Sequence, residues 1–362
     1  MKILFLTFGN EVIASSRTRV YQYLPALREA GDKVLVINYC SAIEARVAAL
    51  RSSNTSQQWS SLIRRRVLRL WCLCFTVFQT VRFVVLSGFY DIVFIQKVLL
   101  PAWIQRIVTL LNTNVVFDYD DAVYAESAPY SRQRFEGLLK SSSLAIVEND
   151  ATEQYAKDLG VRTVKITGPI DTERYRPRPA RREERPVVIG WIGSPGTTPY
   201  LRLIAEPLRT VIAKYPDVIV DFVGAGPIDL PGVTIRRHEW SLDTEVSSLE
   251  MFDVGVMPLP DNEWTRGKGG YKLLQYMAMG IPGVASPVGI NSQVVRHGAN
   301  GFLATTDDEW IEALTRLIES KELRQTLGER ARRDAIETYS LRSSTPVLHA
   351  ALKSLIHGPK HP

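Results

Sequence analysis

Strand-like runs of apolar, often β-branched residues alternate with helical stretches along most of this chain. In the first half these runs are KILFLTF, KVLVINY, DIVFIQK, NVVFDYD and LAIVEND. Strands that are apolar on both faces and separated by helices are typical of a parallel sheet covered on both sides. The alternation therefore predicts a doubly wound α/β domain.

A segment rich in proline and arginine, residues 171–186, interrupts this alternation, which then resumes. The later strand-like runs are PVVIGWIG, VIVDFVG, VTIRR, FDVGVMPLP and PGVAS. Because 362 residues also exceed the size of one ordinary domain, we predict two domains joined by a linker. The predicted bounds are residues 1–170 for the first domain, 171–186 for the linker and 187–340 for the second domain. A last helix in residues 341–362 is expected to cross back to the first domain.

The composition is that of an ordinary globular protein, 45% hydrophobic and 23% charged, with a net charge of +6 that suits anionic partners. Cysteine occurs at positions 40, 72 and 74, and this odd, sparse count favours reduced, buried thiols over a disulfide framework. Neither the cysteines nor the five histidines have metal-ligand spacing. The chain starts directly with a strand-like run, so we expect no signal peptide and a cytoplasmic protein.

The stretch most suited to a membrane is residues 62–88, LIRRRVLRLWCLCFTVFQTVRFVVLSG. Arg69, Gln79 and Arg82 interrupt its apolar runs below the roughly 20 residues of a spanning helix, so we do not expect it to cross a bilayer. Residues 41–90 contain seven arginines and one acid, interleaved with tryptophan and phenylalanine. This pattern fits either a surface helix on anionic lipid or a helix packed on its own sheet with its arginines in solvent. We recognise no nucleic-acid-binding module and expect no nucleic-acid partner.

Cations and glycines crowd the start of a predicted helix in residues 266–289, RGKGGYKLLQYMAMGIPGVASPVG. If the helix starts at Gly269–Gly270, the charges of Arg266, Lys268 and Lys272 lie at its positive pole. These charges repel one another unless an anion lies among them, and glycine N–H groups at a helix start commonly bind phosphate. The pattern favours a phosphate site over a solvated basic turn.

Two further stretches place small or basic residues at the ends of predicted elements. Gly193 and Ser194 follow the run PVVIGWIG, where they leave room and backbone N–H groups for a ligand, although a plain turn has the same pattern. Arg17 and Arg19 are predicted at the start of the first helix, again at a positive pole. The alternative for these two arginines is simple solvation.

Three carboxylates, those of Asp118, Asp120 and Asp121, lie at the end of the run NVVFDYD. Clustered acids at a strand end suggest a metal, sugar hydroxyls or acid–base chemistry. A metal is the weaker choice because no histidine or further acid lies nearby in the sequence, and one of the three can serve as a helix cap.

The segment WTRGKGGYKLLQYMAMGIPGVASPVGINSQVVRHGANGFLA resembles the donor-binding segment of glycosyltransferase family 4. IGWIGSPGTTPYL and GPIDTERYRP, with Asp171, are similar to further parts of that family, and SSRTRVYQYLPALREAG and DYDDAVY to one branch of it. The resemblance implies the GT-B fold, two Rossmann-like doubly wound parallel-sheet domains facing a central cleft. It also implies metal-independent transfer from a nucleotide-diphosphate-sugar with retained configuration, and no cofactor beyond that substrate.

The resemblance also implies roles for individual residues. By position it places Gly193, Ser194, Gly267, Lys268, Gly269, Gly270, Lys272 and Gln275 in the donor-binding set. Arg17, Arg266 and Glu263 are further candidates for this set from the residues themselves. Within it, Gln275 would meet the ribose. Family members carry two glutamates eight positions apart where this chain has Gly267 and Gln275, so Glu263 or Asp261 would have to substitute from the preceding loop.

In the expected mechanism, Lys268 and Lys272 stabilise the leaving diphosphate together with Arg17, and Asp120 or Asp121 orients sugar or acceptor. The expected acceptor is a lipid-linked saccharide or another polysaccharide precursor at the inner face of a bacterial membrane. An inactive nucleotide-sugar-binding subunit is the alternative, suggested by the missing glutamates. A nicotinamide dehydrogenase is disfavoured because the chain lacks a G-x-G-x-x-G fingerprint with its ribose-binding acid.

Overall fold

A computed structural model describes residues 1–39, 62–126, 129–177 and 185–357, without the side chains of residues 62–69, 126, 129, 130 and 357. The chain divides into two compact units. Unit 1 comprises Met1–Pro169, Gly267–Gly269 and Ser344–Pro362, and unit 2 comprises Ile170–Arg266 and Gly270–Ser343.

Unit 1 is built on a six-stranded sheet whose strands all pair in parallel. The strands are β1 (Lys2–Thr7), β2 (Lys33–Asn38), β3 (Ile92–Gln96), β4 (Val115–Tyr119), β5 (Leu144–Val147) and β6 (Thr163–Lys165), in the order β2-β1-β3-β4-β5-β6. The helices are α1 (Ala14–Arg19), α2 (Leu24–Glu29), α3 (Leu62–Ser87), α4 (Ala102–Leu111), α5 (Val123–Glu126), α6 (Pro129–Ser141) and α7 (Asp150–Asp158). Every residue of β3 and β4 is buried, as expected for strands covered on both faces.

Unit 2 has a second sheet of six parallel strands. These are β7 (Val188–Ile192), β8 (Ile219–Val223), β9 (Ile235–His238), β10 (Val254–Met257), β11 (Gly283–Ala285) and β12 (Gly301–Leu303), in the order β12-β11-β10-β7-β8-β9. The helices are α8 (Ala205–Lys214), α9 (Glu245–Leu249), α10 (Glu263–Arg266), α11 (Tyr271–Ala278), α12 (Asn291–Val294), α13 (Asp307–Glu319) and α14 (Lys321–Glu337). The last helix, α15 (Leu341–His357), starts in unit 2, and its residues from Ser344 group with unit 1.

The strand orders define one switch point in each sheet. In unit 1 the chain leaves β1 toward β2 and then returns to form β3 on the other side of β1; in unit 2 the same reversal separates β7 from β10. Ligands of open α/β sheets bind beyond the carboxyl ends of the strands at such points. Lys97, which follows β3, and Gly193, which follows β7, lie at these positions. The predicted pair of doubly wound parallel sheets is thus confirmed, although the three-residue strands β6 and β12 were not predicted.

The first predicted helix is in fact two helices, α1 and α2, with a 3-10 turn at Tyr21–Tyr23 between them. Pro25 lies in the first turn of α2, where its missing N–H is harmless, so a new helix starts there. Arg17 and Arg19 consequently lie in the last turn of α1. Their predicted position at a positive helix end is wrong, because the last turn is the negative pole and favours cations.

Part of the predicted linker is packed. The Tyr175 side chain is 1% exposed within the core of unit 2, and its N–H donates to the Asp171 carbonyl at 2.9 Å. The Asp171 carboxylate accepts from the N–H groups of Glu173 and Arg174, both at 3.0 Å. Residues 171–177 therefore form an ordered turn, since a buried aromatic ring outweighs the extended preference of the neighbouring proline and arginine residues.

One helix has the properties of a membrane segment. Leu70–Ser87, within α3, is long and apolar enough to cross a bilayer, and only 22% of it is buried in the protein. That this helix does not cross a bilayer stays a prediction. Cys72 and Cys74 are free, the first buried and the second exposed, and Cys40 lies outside the described residues.

Candidate functional site

A buried arginine joins two carboxylates at the core of unit 1. Arg19 Nε and Nη2 donate to the Asp118 carboxylate at 3.0 and 2.6 Å. Its Nη1 donates to Glu148 Oε2 at 2.7 Å and to the Ile166 carbonyl at 2.6 Å. All three charged side chains are at most 3% exposed. This cluster links the carboxyl ends of β4 and β5 to α1. The Asp118 carboxylate, which the sequence predicts as a ligand-binding group, is therefore paired with Arg19 inside unit 1.

Burial shifts the pKa values of both carboxylates upward. Burial raises the pKa of Glu148 to about 8 and that of Asp118 to about 6, although Arg19 opposes the shift in both. Glu148 is therefore the more easily protonated of the two carboxylates. The sequence run LAIVEND carries a signal for Glu148, an acid directly after an apolar strand, although the predicted acidic site residues are Asp120 and Asp121.

Lys97 brings Asp120 and Asp121 together at the switch point of unit 1. Its Nζ lies 2.8 Å from Asp120 Oδ1 and 2.7 Å from Asp121 Oδ2. Lys97 has a φ of 57°, in the left-handed region that costs a residue with a side chain about 1–2 kcal/mol. Strain of this kind persists only where the surroundings enforce it, and it is commonest at functional sites.

The charges of this cluster reinforce one another. Burial disfavours charge on Lys97, but Asp120 and Asp121 outweigh it and raise the lysine pKa. Burial would likewise raise the pKa of Asp121, but Lys97, Lys268 and the Gly269 N–H lower it overall. Lys97 thus supplies the positive charge that pairs with both Asp120 and Asp121. Nothing in the sequence pattern singled it out.

The segment Gly267–Gly269, which groups with unit 1, fits closely against its surroundings. A Cβ on Gly267 would lie 2.3 Å from Ala122 Cβ, so a glutamate cannot replace this glycine without a shift of the backbone. The Lys268 carbonyl accepts a hydrogen bond from Asn149 Nδ2 at 3.0 Å. The missing first glutamate therefore has a steric explanation.

In unit 2 the predicted helix start and the glycine turn come together. Gly270 is the N-cap of α11, as predicted. Lys272, in the first turn, lies over the Trp191 ring with Nζ 5.4 Å from its centroid, a cation–π contact. A Cβ on Gly193 would lie 2.7 Å from Lys272 Cε. Lys272 and Gly193, 79 positions apart in the sequence, are thus neighbours at the switch point of the second sheet.

The amide groups of this turn are used within the protein. The Gly193 N–H donates to the Val223 carbonyl at 3.0 Å, and the Ser194 N–H donates weakly to Thr197 Oγ1 at 3.4 Å. The expectation that Gly193 offers its N–H to a ligand is therefore wrong in this structure. Its contribution is space, since any side chain at position 193 would meet Trp191 and Lys272.

Gln275 belongs to a buried hydrogen-bond chain. Its side chain is 4% exposed and Nε2 donates to the Tyr175 hydroxyl at 3.3 Å. The Tyr175 hydroxyl in turn donates to Glu245 Oε2, and Trp240 Nε1 donates to Glu245 Oε1 at 3.0 Å. Lys272 and Gln275 share a helix face by spacing, but the described bond of Gln275 runs into the core of unit 2.

The remaining candidates lie in local contacts. Arg266 forms an exposed pair with Asp261, with N–O distances of 2.6 and 3.0 Å, and Glu263 is exposed at the start of α10. Such surface pairs contribute little free energy. Arg17 is buried and its Nη1 donates to the carbonyls of Glu11 and Val12. Among residues 1–39, 62–126, 129–177 and 185–357, no group of three or more His, Cys, Asp or Glu side chains has a metal-binding arrangement.

Comparison with known proteins gives a family match for part of the chain and a fold for the whole. Residues 186–320 match the model of the family Glycosyl transferases group 1. No curated protein sequence is significantly similar to the chain. Among solved structures, a glycosyltransferase from Rickettsia africae has a TM-score of 0.69 at 11% identity, covering 99% of both chains. Sucrose-phosphate synthase from Thermosynechococcus elongatus has a TM-score of 0.70 at 14% identity, covering 99% of this chain and 100% of its own. HepE from Anabaena, solved with UDP-glucose, has a TM-score of 0.68 at 17% identity, covering 98% and 100%.

The two parallel sheets and these likenesses identify the fold as that of the GT-B glycosyltransferases. Within the chain, residues 186–320, which hold Gly193, Lys272 and Gln275, carry the sequence of group 1 glycosyl transferases. The predicted glycosyltransferase resemblance is thereby confirmed.

Proposed function

We propose that the protein transfers a sugar from a nucleotide-diphosphate-sugar to a hydroxyl group, with retention of configuration and without a metal. The observation that carries this is the family match over residues 186–320, which contain the cation Lys272 beside the glycine turn at Gly193. The neighbouring structures of HepE hold UDP, glucose or UDP-glucose, which makes nucleotide-sugars the first donors to test.

The chemistry rests on the leaving group. As the bond between the sugar carbon and the diphosphate oxygen breaks, negative charge grows on that oxygen, and Lys272 at the start of α11 stabilises it together with the helix pole. Lys268, one turn earlier in sequence, has the same proposed role, and Arg266 and Arg17 supply further positive charge. The acceptor hydroxyl attacks the same face of the sugar and its proton passes to the departing phosphate.

Asp120 and Asp121 are proposed to orient the sugar or the acceptor by accepting hydrogen bonds from hydroxyl groups. Both carboxylates have oxygen atoms beyond those paired with Lys97, and Lys97 keeps Asp121 ionised. A rigid pair of acceptors at the carboxyl end of β4 suits the binding of vicinal hydroxyls, which carry two donors at a fixed spacing.

The proposed acceptor is a lipid-linked saccharide or another precursor of a bacterial polysaccharide. A lipid-linked acceptor requires the enzyme to work at a membrane surface, and the basic residues of 62–88 favour the anionic inner face of the plasma membrane.

A second candidate function is a nucleotide-sugar-binding subunit without transfer activity. Gly267 and Gln275 stand where family members carry glutamates, and Gln275 bonds to Tyr175 in the core of unit 2. Donor binding without release of nucleoside diphosphate, across a panel of acceptors, would favour this candidate.

The test begins with a panel of nucleotide-sugars in thermal unfolding, because the donor that binds stabilises the folded chain. We expect one donor to raise the melting temperature and to yield nucleoside diphosphate when an acceptor is present. Lys272→Ala should lose both effects. Lys214→Ala is the matched control, since Lys214 also lies over an aromatic ring of unit 2, with Nζ 4.8 Å from the Tyr215 centroid. Equal donor binding and turnover in wild type and Lys272→Ala would contradict the assignment.

A further inference from the structure

Helix α3 of unit 1 exposes its apolar face. Six large apolar side chains of this helix, each with another of the set three or four residues away, are 53–64% exposed: Leu70, Leu73, Val77, Phe78, Val81 and Val85. The opposite face holds the buried residues Cys72, Phe83 and Ser87 and packs on β1 and β2. A surface helix of a globular protein normally shows polar residues outward, whereas α3 is apolar on its outer face as well as on its inner face.

Helix α4 is likewise apolar on both its inner and its outer face. Ile104 and Val108 are buried, whereas Trp103, Ile107 and Leu110 are 65%, 37% and 84% exposed on the other side. The spacing of four and three residues places these three on one helix face. Two neighbouring helices thus repeat one unusual pattern.

Helices α3 and α4 lie next to each other. They pack against each other, and Asn112 Nδ2, just after α4, donates to the Ser87 and Tyr90 carbonyls at the end of α3. Between these elements, Phe89 is 69% exposed. We call the exposed side chains of α3, Phe89 and α4 the apolar face of unit 1. Large apolar side chains exposed together on adjoining helices mark an interaction site.

The charge of this region is one-sided. Apart from Lys97, which pairs with Asp120 and Asp121, residues 62–111 contain six arginines against a single acid, Asp91. Arg82 and Arg106 are exposed on α3 and α4 themselves. A basic surface with apolar and tryptophan side chains is the composition that binds anionic lipid, in which the apolar groups enter the acyl boundary and the arginines meet the headgroups.

Packing decides between lying on a bilayer and crossing it. Phe83 is fully buried, and α3 is held on the sheet of unit 1 by its inner face. A spanning helix would have to leave that sheet and give up this burial. The apolar face can meet lipid with the fold unchanged.

From these observations we infer that the apolar face of unit 1 docks on the surface of an anionic lipid bilayer, with α3 and α4 lying in the interface and Trp103, Phe78 and Leu110 inserted below the headgroups. The arginines select an anionic surface over a second copy of this chain, because two copies of so basic a face repel each other. This docking deepens the proposed function by placing the enzyme where a lipid-linked acceptor is found.

The test uses the full chain and vesicles of phosphatidylcholine with or without phosphatidylglycerol. We expect binding that requires phosphatidylglycerol and weakens with salt. The pair Phe78→Ser and Trp103→Ser should lower the partition coefficient by about tenfold or more, because two large apolar side chains no longer insert. Arg82→Gln and Arg106→Gln should each lower it roughly fivefold. The control pair, Leu203→Ser and Val347→Ser, removes apolar groups that are also about half exposed, 47% and 46%, but lie outside the face.

Circular dichroism melting of each variant shows whether the fold is kept. Quenching of tryptophan emission by brominated lipid should fall in Trp103→Phe even if the partition is little changed. The inference is overturned if the wild type fails to bind the anionic vesicles, or if the Phe78/Trp103 pair binds as the wild type does. It is also overturned if light scattering shows a lipid-free dimer that this pair dissociates. None of these measurements needs a donor or an acceptor, so they stand apart from the transfer assay.

Discussion

Lys97 reaches Asp121 from a left-handed backbone: its Nζ lies 2.7 Å from Asp121 Oδ2 while its φ is 57°. The preceding residue, Gln96, ends β3, and the Lys97 N–H still donates to the Asp118 carbonyl at 2.9 Å. The backbone therefore turns at once after the strand and aims the ammonium group at the acids beyond the next strand. A strained residue at a switch point is the feature we expect to matter most for activity.

Two substitutions of Lys97 distinguish the effect of its charge on activity from the effect of its left-handed backbone on stability. Lys97→Ala and Lys97→Gly both remove the ammonium group, so each should lower kcat by about 100-fold through displacement of Asp120 and Asp121. Glycine relieves the left-handed strain that alanine keeps, so Lys97→Gly should be the more stable variant by roughly 1 kcal/mol. Donor turnover and urea unfolding measure the two effects.

The control is Lys140→Ala, which removes a lysine from a half-exposed pair of the same unit. It should leave turnover unchanged. If Lys97→Ala keeps wild-type kcat, Lys97 has no role in positioning the two acids.

Glu148 should make stability depend on pH. Its pKa is raised from 4.5 to about 8, so between these values the folded protein holds a proton that the unfolded chain has released. The stability from this group is complete below about pH 4.5 and is lost as the pH rises through 8, by at most about 1.4 kcal/mol per pH unit. Glu148→Gln cannot lose that proton, so its stability relative to wild type should increase over this range.

Urea unfolding of both proteins at a series of pH values checks the sign. Glu29→Gln, at an exposed position of the same unit, should follow the wild-type curve. Parallel curves for wild type and Glu148→Gln would show that Arg19 keeps Glu148 ionised throughout.

Two glycines of one turn should respond differently to alanine. A Cβ on Gly193 would lie 2.4 Å from the Trp191 ring and 2.7 Å from Lys272 Cε, whereas a Cβ on Gly196 meets nothing within 4 Å. Gly193→Ala should destabilise the protein by about 1–3 kcal/mol and weaken donor binding by moving Lys272. Gly196→Ala should stay within about 0.5 kcal/mol of wild type. Thermal unfolding with and without donor distinguishes the two; equal behaviour would mean that the turn is not close-packed.

An acid at position 275 should disturb the buried hydrogen-bond chain that runs through the Tyr175 hydroxyl. Gln275 donates to the Tyr175 hydroxyl, which donates its single proton to Glu245. In Gln275→Glu two buried carboxylates compete for that proton, so we expect a loss of about 1–3 kcal/mol. Adding Glu245→Gln should restore part of it, since one carboxylate then remains. A double-mutant cycle in urea measures the coupling, and strict additivity would refute the hydrogen-bond chain.

The sequence predicted the parts of the fold that depend on local pattern. Ten of the observed strands coincide with the predicted apolar runs. A strand buried on both faces needs such a run regardless of its neighbours in the fold. The two unpredicted strands, Thr163–Lys165 and Gly301–Leu303, have three residues each, too few to form a pattern. The helix start at Gly270 was also predictable, because the glycines and the lack of an apolar run just before the helix are local features of the sequence.

The sequence by itself thus determined two parallel α/β sheets, a glycosyltransferase resemblance and a group of cations at one helix start. Only the tertiary structure decided which charges meet. Arg19 pairs with Asp118 and Glu148, which lie 99 and 129 positions further along the chain. Lys97 pairs with Asp120 and Asp121. Parallel strands bring their carboxyl ends to one edge, and the strand order that selects the neighbours is set by long-range packing. Burial then fixes the protonation of these groups, because desolvation depends on what surrounds a side chain and not on its neighbours in sequence.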